Sequence, residues 1–193
     1  MTSPPSQHRP VLLTVGHSAM SLNEFVLLLK EGFVASVVDV RRHPGSRRSP
    51  QFAATALAES LGAIGIDYLG LGGQLGGRRS AKDAYIPDVG SAPDNSAWLH
   101  RSFRAYADYM GTSAFLEGLE RLEARAREKR TAIMCAETHP SRCHRRLISD
   151  ALTVRGWHVF HLIRGRAPEE HRLSKHAFVE GRQLSYPRVP ARS

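Results

Sequence analysis

Residues 131–162 read TAIMCAETHPSRCHRRLISDALTVRGWHVFHL, and this stretch decides the fold class. Thr131–Met134 is a short apolar run of the kind a buried strand presents. From about Arg142 to Arg155 the period changes, and Leu147, Ile148, Ala151 and Leu152 fall on one helical face. Gly156 suits the C-cap of that helix. Trp157–Leu162 returns to strand character, with His158 and His161 inside it. Strand, helix and strand in direct succession predict a βαβ unit, hence parallel strands with a helix packed across them.

The same alternation continues outward. Residues 11–15 form an apolar run closed by Gly16, and 33–38 and 64–69 form two more. Between the first two, Ser21 and Glu24 predict a capping box, and Met20 can staple onto Phe25. Ser49-Pro50 reads as a helix start with proline at the first position. Trp98–Met110 reads as a helix, and Phe115, Leu119, Leu122 and Ala126 mark the face of another. Residues 169–179 carry some helical potential. The predicted fold is α/β: a three-layer α/β/α arrangement on a mainly parallel, Rossmann-like sheet of about five strands. The predicted organisation is a flexible N-terminal segment (1–10), one α/β domain (11–163) with a Gly-rich insertion loop at 70–97, and a basic C-terminal extension (164–193).

Composition narrows the class. The chain has 193 residues, 41% of them hydrophobic, which excludes collagen, coiled coil and wholesale disorder. No apolar run approaches the roughly eighteen residues of a membrane span, so no membrane partner is expected. The first ten residues do not read as a signal peptide, and two cysteines do not make a disulfide framework, so a cytoplasmic protein with free thiols is expected. The formal charge is +9, and only four of the 27 basic residues are Lys. Arginine's planar fork suits phosphate and carboxylate, which favours an anionic small molecule, a nucleotide or a nucleic acid as partner. An Arg-preferring coding sequence explains the same excess without function. Oligomeric state is not legible.

In open parallel sheets, ligands bind outside the carboxyl ends of the strands. Four polar segments lie there. After the first strand come His17 and Ser18; His17 suits acid–base work near neutrality or a bond to loop backbone. After the second comes Asp39, either a functional carboxylate or a buried partner of Arg41 or His17. The loop behind it, RRHPGSRR at 41–48, makes Arg41, Arg47 and Arg48 candidate anion binders. After the third strand, LGLGGQLGGRR at 69–79 matches no nucleotide fingerprint, but its glycines permit close backbone approach and Arg78 and Arg79 can close over an anion. After the fourth lie Cys135, Glu137, Cys143, His144 and Arg145, the last of these, like Ser18, a further candidate anion binder. Cys143 is expected in the first turn of a helix beside three arginines, where a thiolate is favoured. His144 and Glu137 are the adjoining acid–base candidates. Cys135, Cys143 and His144 are also the metal ligands, if any, although their spacing is not a standard zinc pattern. Both thiols can instead be plain buried cysteines.

Several of these motifs occur together and in order. TVGHS at 14–18, VVDVRRHPGSRRSPQF at 37–52, IDYLGLGGQLGGRR at 66–79, FRAYADYM at 103–110, MCAETHPSRCHRRLISDAL at 134–152 and GWHVFHL at 156–162 resemble the DUF488 family from about Val11 to Leu162. The resemblance implies an α/β three-layer protein and supplies no reaction.

The residues therefore set three expectations. The first is an enzyme acting on a phosphorylated small molecule, nucleotide or nucleic acid end through the arginines and the Cys/His/Asp/Glu groups. The second is a non-catalytic module contacting nucleic acid backbone, whose binding must weaken steeply with salt. The third is a metal-binding protein using Cys and His. None requires a cofactor.

Overall fold

The computed structural model describes residues 9–45, 49–83 and 93–188. The chain runs β1 (Val11–Gly16), α1 (Leu22–Glu31), β2 (Ser36–Asp39), α2 (Ala54–Gly62), β3 (Asp67–Gly70), α3 (Gly72–Leu75), α4 (Arg101–Tyr109), α5 (Ser113–Glu128), β4 (Thr131–Cys135), α6 (Arg145–Val154), β5 (His158–Leu162), β6 (Glu169–Glu170), β7 (Phe178–Glu180) and β8 (Gln183–Ser185). Among the described residues the main sheet has six strands in the order β3-β2-β4-β1-β5-β6. Five are parallel, and β6 adds an antiparallel edge to β5. The expectation of about five strands is thus exceeded by one short edge strand.

Alternation along the strands builds two apolar layers. Leu12, Val38, Ile133 and Val159 meet Phe115, Leu119, Leu122, Leu147 and Ile148 from α5 and α6. Leu13, Val15, Val37, Ala132 and Met134 meet Phe25, Leu28, Leu29, Leu57 and Leu61 from α1 and α2. The sheet is therefore apolar on both faces and covered by helices on both. Among the described residues no helix is long and apolar enough to cross a membrane.

The Ser21–Glu24 capping box forms as predicted, and Gly32 caps α1. Several boundaries move. Ser49-Pro50 opens a 3-10 turn, Pro50–Phe52, and α2 starts only at Ala54. Phe33 takes a left-handed φ of 52°, so β2 begins at Ser36. The third strand starts at Asp67, after a turn at Gly65 with φ 76°. The Gly-rich stretch holds α3 and a 3-10 turn at Ala81–Asp83; residues 84–92 lie outside the described residues. Helix α6 starts at Arg145, not Arg142, because Cys143 is extended (φ −135°, ψ 149°) after a 3-10 turn at Pro140–Arg142.

Residues 169–179 are not helical. They supply β6 and the start of the β7–β8 hairpin. A buried polar chain decides this. Asp150 on α6 accepts from His171 Nε2 (2.8 Å), Ser174 N (2.9 Å), Ser174 Oγ (2.6 Å) and Tyr186 Oη (2.9 Å). His161 Nε2 donates to His171 Nδ1 (3.0 Å), and the Thr14 hydroxyl donates to His161 Nδ1 (2.8 Å). Satisfying a fully buried carboxylate this way requires extended chain, and that overrides local helix propensity.

Candidate active site

The ends of β1, β2 and β4 lie side by side, with Gly16 level with Cys135 and Asp39 level with Met134. The polar segments that follow them are thereby forced together. They form a cleft of about 670 Å³ lined by His17, Arg41, Arg42, His43, Arg78, His100, Phe103, Tyr106, Cys135, Glu137, Arg142, Cys143 and His144, among others.

The floor is built on two struts. In the first, Asp39 grips Arg41 through Nε (2.9 Å to Oδ1) and Nη2 (2.5 Å to Oδ2), and Tyr68 Oη donates to the same carboxylate at 2.7 Å. Arg41 also donates to Phe52 O (2.8 Å) and to His17 Nε2 (3.2 Å). His17 Nδ1 donates to Ser18 O (3.0 Å), and its ring stacks on Phe52 at 4.1 Å. Burial, with the Arg41 charge beside it, pushes His17 down to about 4. His17 is thus a neutral ring whose two nitrogens are both engaged. Asp39 does not reach the cleft and acts by orienting Arg41; of its two expected roles, the buried partner is the one the contacts describe.

Arg145 is the second strut. It is 1% exposed, and its guanidinium donates to the carbonyls of Glu137 and Thr138 (3.3 Å for the latter), which holds the loop after β4. Its Nε donates to Cys143 Sγ at 3.5 Å. Arg145 is thus part of the frame and lies beneath the cleft wall.

Cys143 precedes α6 and does not sit in its first turn. Its sulfur meets three hydrogen-bonding groups: the Cys135 thiol, His144 Nδ1 (3.5 Å) and Arg145 Nε. His144 Nε2 donates to Val40 O at 3.0 Å, which turns Nδ1 toward the sulfur. The Cys135 thiol, with His144 and Arg145, holds Cys143 well below the ordinary thiol range, although burial opposes the shift. Cys135 is driven the other way, first by its hydrogen bond to Cys143 and then by burial. The contact between the two sulfurs therefore favours the proton on Cys135 and the negative charge on Cys143. Both thiols are free, and both are mostly buried at the floor.

The rim is cationic and open. Arg78 and Arg142 are exposed, and their guanidinium groups make no hydrogen bond or ion pair among the described residues. Arg78 also holds a left-handed φ of 57°, a conformation disfavoured for a non-glycine residue and typical of functional loops. Arg42 is tied to Asp83 at 3.0 Å. Glu137 is exposed on the rim, with a carboxylate unpaired among the described residues. Gly77 explains one glycine of the rich loop: a Cβ there would lie 2.6 Å from His144 Nδ1, so only glycine lets the imidazole rest against the backbone.

Other expected residues lie elsewhere. Arg79 is spent on the loop itself, donating to Gly76 O (2.8 Å) and Gly73 O (2.6 Å) and stacking 3.7 Å over Tyr109. Ser18 is exposed and uses its backbone, donating to Ala136 O, rather than lining the cleft. Arg47 and Arg48 lie outside the described residues. The structure adds His43, His100, Ser102, Phe103 and Tyr106 to the lining; His43, Phe103 and Tyr106 lie within quoted motifs but carried no assigned role. His100, Ser102, Phe103 and Tyr106 flank or begin α4, where aromatic residues at helical spacing read as core; part of that face is core, with Tyr106 fully buried.

Fold and site together define an α/β domain whose strand ends carry a thiol–imidazole–guanidinium cluster inside a basic cleft. The chain matches the family model described as domain of unknown function DUF488 over residues 21–152, and it belongs to that family. No curated protein and no solved structure matches it.

Proposed function

We propose that the protein is a thiol-dependent enzyme that cleaves a phosphate ester on a small molecule or nucleotide, using a cleft on a three-layer, Rossmann-like sheet. One observation carries the reading: Cys143, its sulfur held by His144 Nδ1 and Arg145 Nε, lies at the floor of a cleft whose rim presents Arg78 and Arg142, with guanidinium groups unpaired among the described residues. Unpaired arginines are suited to phosphate oxygens. A depressed thiol is the reactive form of cysteine.

In this reading the Cys143 proton has passed to His144 Nδ1. The thiolate attacks phosphorus, an S–P bond forms and the ester P–O bond breaks. The departing oxygen takes the proton from His144. Water then attacks the phosphocysteine, giving one proton to Glu137 as the S–P bond breaks. Inorganic phosphate leaves, and the proton returns from Glu137 to His144. The second half needs only water.

The test is hydrolysis of phosphate monoesters by the purified chain, with acid-quenched samples examined for phosphocysteine at residue 143. Cys143→Ser should abolish both product and adduct. Arg142→Gln should weaken substrate binding by about tenfold, the value of one charge-assisted contact. An active Cys143→Ser variant removes the nucleophile.

A second reading has its own support. Cys135 Sγ, Cys143 Sγ and His144 Nδ1 lie within 4.8 Å of one another. The His144 Nε2 bond to Val40 O is the outer contact that metal-ligating histidines usually make. Two thiolates and an imidazole suit zinc with one open position. Metal analysis of protein purified without chelator separates the readings: stoichiometric zinc, lost in Cys135→Ser, makes Cys143 a ligand in place of a nucleophile.

A further inference from the structure

We propose that the wall formed by His100, Ser102 and Phe103 is a subsite for the base of a nucleoside monophosphate, whose phosphate sits between Arg78 and Arg142. The inference rests on the phosphate reading above and names its substrate class.

The cleft lining is chemically mixed, cationic and aromatic. Arg42, His43, Arg78 and Arg142 line it together with His100, Ser102 and Phe103. A volume of about 670 Å³ is far more than a bare phosphate needs and falls in the range of small-molecule sites. The aromatic wall is pre-ordered. Phe103 stacks on Trp98 with ring centroids 5.1 Å apart and planes 19° from parallel. Trp98 in turn carries the Arg146 guanidinium at 5.3 Å. Of these three, only Phe103 lines the cleft, so the stack ends there. His100 stands edge-on to Phe103, at 5.8 Å and 75°. Its Nδ1 is bonded to Ser102 Oγ at 2.7 Å, which leaves Nε2 for a partner.

A flat ring against Phe103 gains stacking with little ordering of the protein, because that side chain is already held. His100 Nε2 and the Ser102 hydroxyl offer hydrogen bonds to a base edge. A ligand matching both kinds of lining has a planar ring with polar edges at one end and a phosphate at the other. A nucleoside monophosphate has that form. A simple aryl phosphate supplies ring and phosphate without the polar edge or the ribose spacer.

The experiment is calorimetric titration of the full chain carrying Cys143→Ser, which prevents turnover. The probes are a purine nucleoside 5′-monophosphate, ribose 5-phosphate and 4-nitrophenyl phosphate. The nucleotide should bind about tenfold more tightly than ribose 5-phosphate, the scale of one base–aromatic stack. His100→Ala and Phe103→Leu should each cut that preference to below about threefold and leave ribose 5-phosphate unchanged. His100 is exposed, so its variant keeps the test valid if the Phe103 substitution disturbs the fold. Equal affinity for nucleotide and ribose 5-phosphate would overturn the subsite while leaving the phosphate reading intact. Equal affinity for nucleotide and 4-nitrophenyl phosphate would overturn the nucleoside assignment. Failure of all three phosphates to bind would overturn the phosphate reading and this inference with it.

Discussion

Asp39→Asn is the sharpest test of how the floor of the cleft is held. Asp39 is 1% exposed and Arg41 7%, so both charges are largely withdrawn from water. The carboxylate accepts from Arg41 Nε, Arg41 Nη2, Arg41 N (2.9 Å) and Tyr68 Oη. Asparagine keeps the shape but removes the charge and turns one acceptor into a donor, facing groups that are themselves donors. Removing one partner of such a buried pair strands the other charge, at a cost of about 3–5 kcal/mol. Tyr68→Phe removes only a neutral donor and should cost about 1–2 kcal/mol. Urea unfolding followed by fluorescence of Trp98 and Trp157 measures both. The double variant Asp39→Leu/Arg41→Met, which removes both charges, should be less damaging than Asp39→Asn alone. If Asp39→Asn changes unfolding by less than about 1 kcal/mol yet abolishes activity, the carboxylate is a chemical participant, and the reasoning that makes it a strut is wrong.

Gly77→Ala should displace the His144 ring and so raise the pH at which Cys143 loses its proton by about one unit; the pH profile of iodoacetamide reaction in a Cys135→Ser background reads this directly, and an unchanged profile would remove His144 from the activation of Cys143. His17, held at about 4, and His161, lowered to about 3 chiefly by burial, both bind protons more readily unfolded than folded. Their contribution to stability is therefore complete above about pH 6.5 and is lost as pH falls toward 4 and below; denaturation midpoints at pH 7, 5 and 4 should fall steadily, with a shallower fall in His17→Asn. Asp150→Asn should cost about 2–4 kcal/mol by breaking a buried network of four donors, and limited proteolysis should then cut first within 165–188; resistance equal to wild type would mean that the C-terminal segment is held by other contacts.

The sequence alone determined the mainly parallel α/β class and the sheet edge at which the polar segments gather. Periodicity is a local property, and the switches between runs such as Thr131–Met134 and faces such as Leu147–Leu152 are written in neighbouring residues. Once the strands are parallel, their C-terminal ends must share one edge, so the gathering of His17, Arg41, Cys135, Glu137, Cys143 and His144 follows from topology. The Ser21–Glu24 cap was legible because both partners lie within one turn. Only the tertiary structure decided what each polar group does. Arg78 and Arg79 are adjacent in the chain, yet one faces the cleft and the other clamps its own loop over Tyr109. Asp39 reads as a possible catalyst until Arg41 and Tyr68 are seen to use it up. The extended path of residues 169–188 depends on Asp150, a partner distant in sequence on α6. Burial and long-range hydrogen bonds assign these roles, and both depend on which segments the packed sheet brings together rather than on any residue's neighbours along the chain.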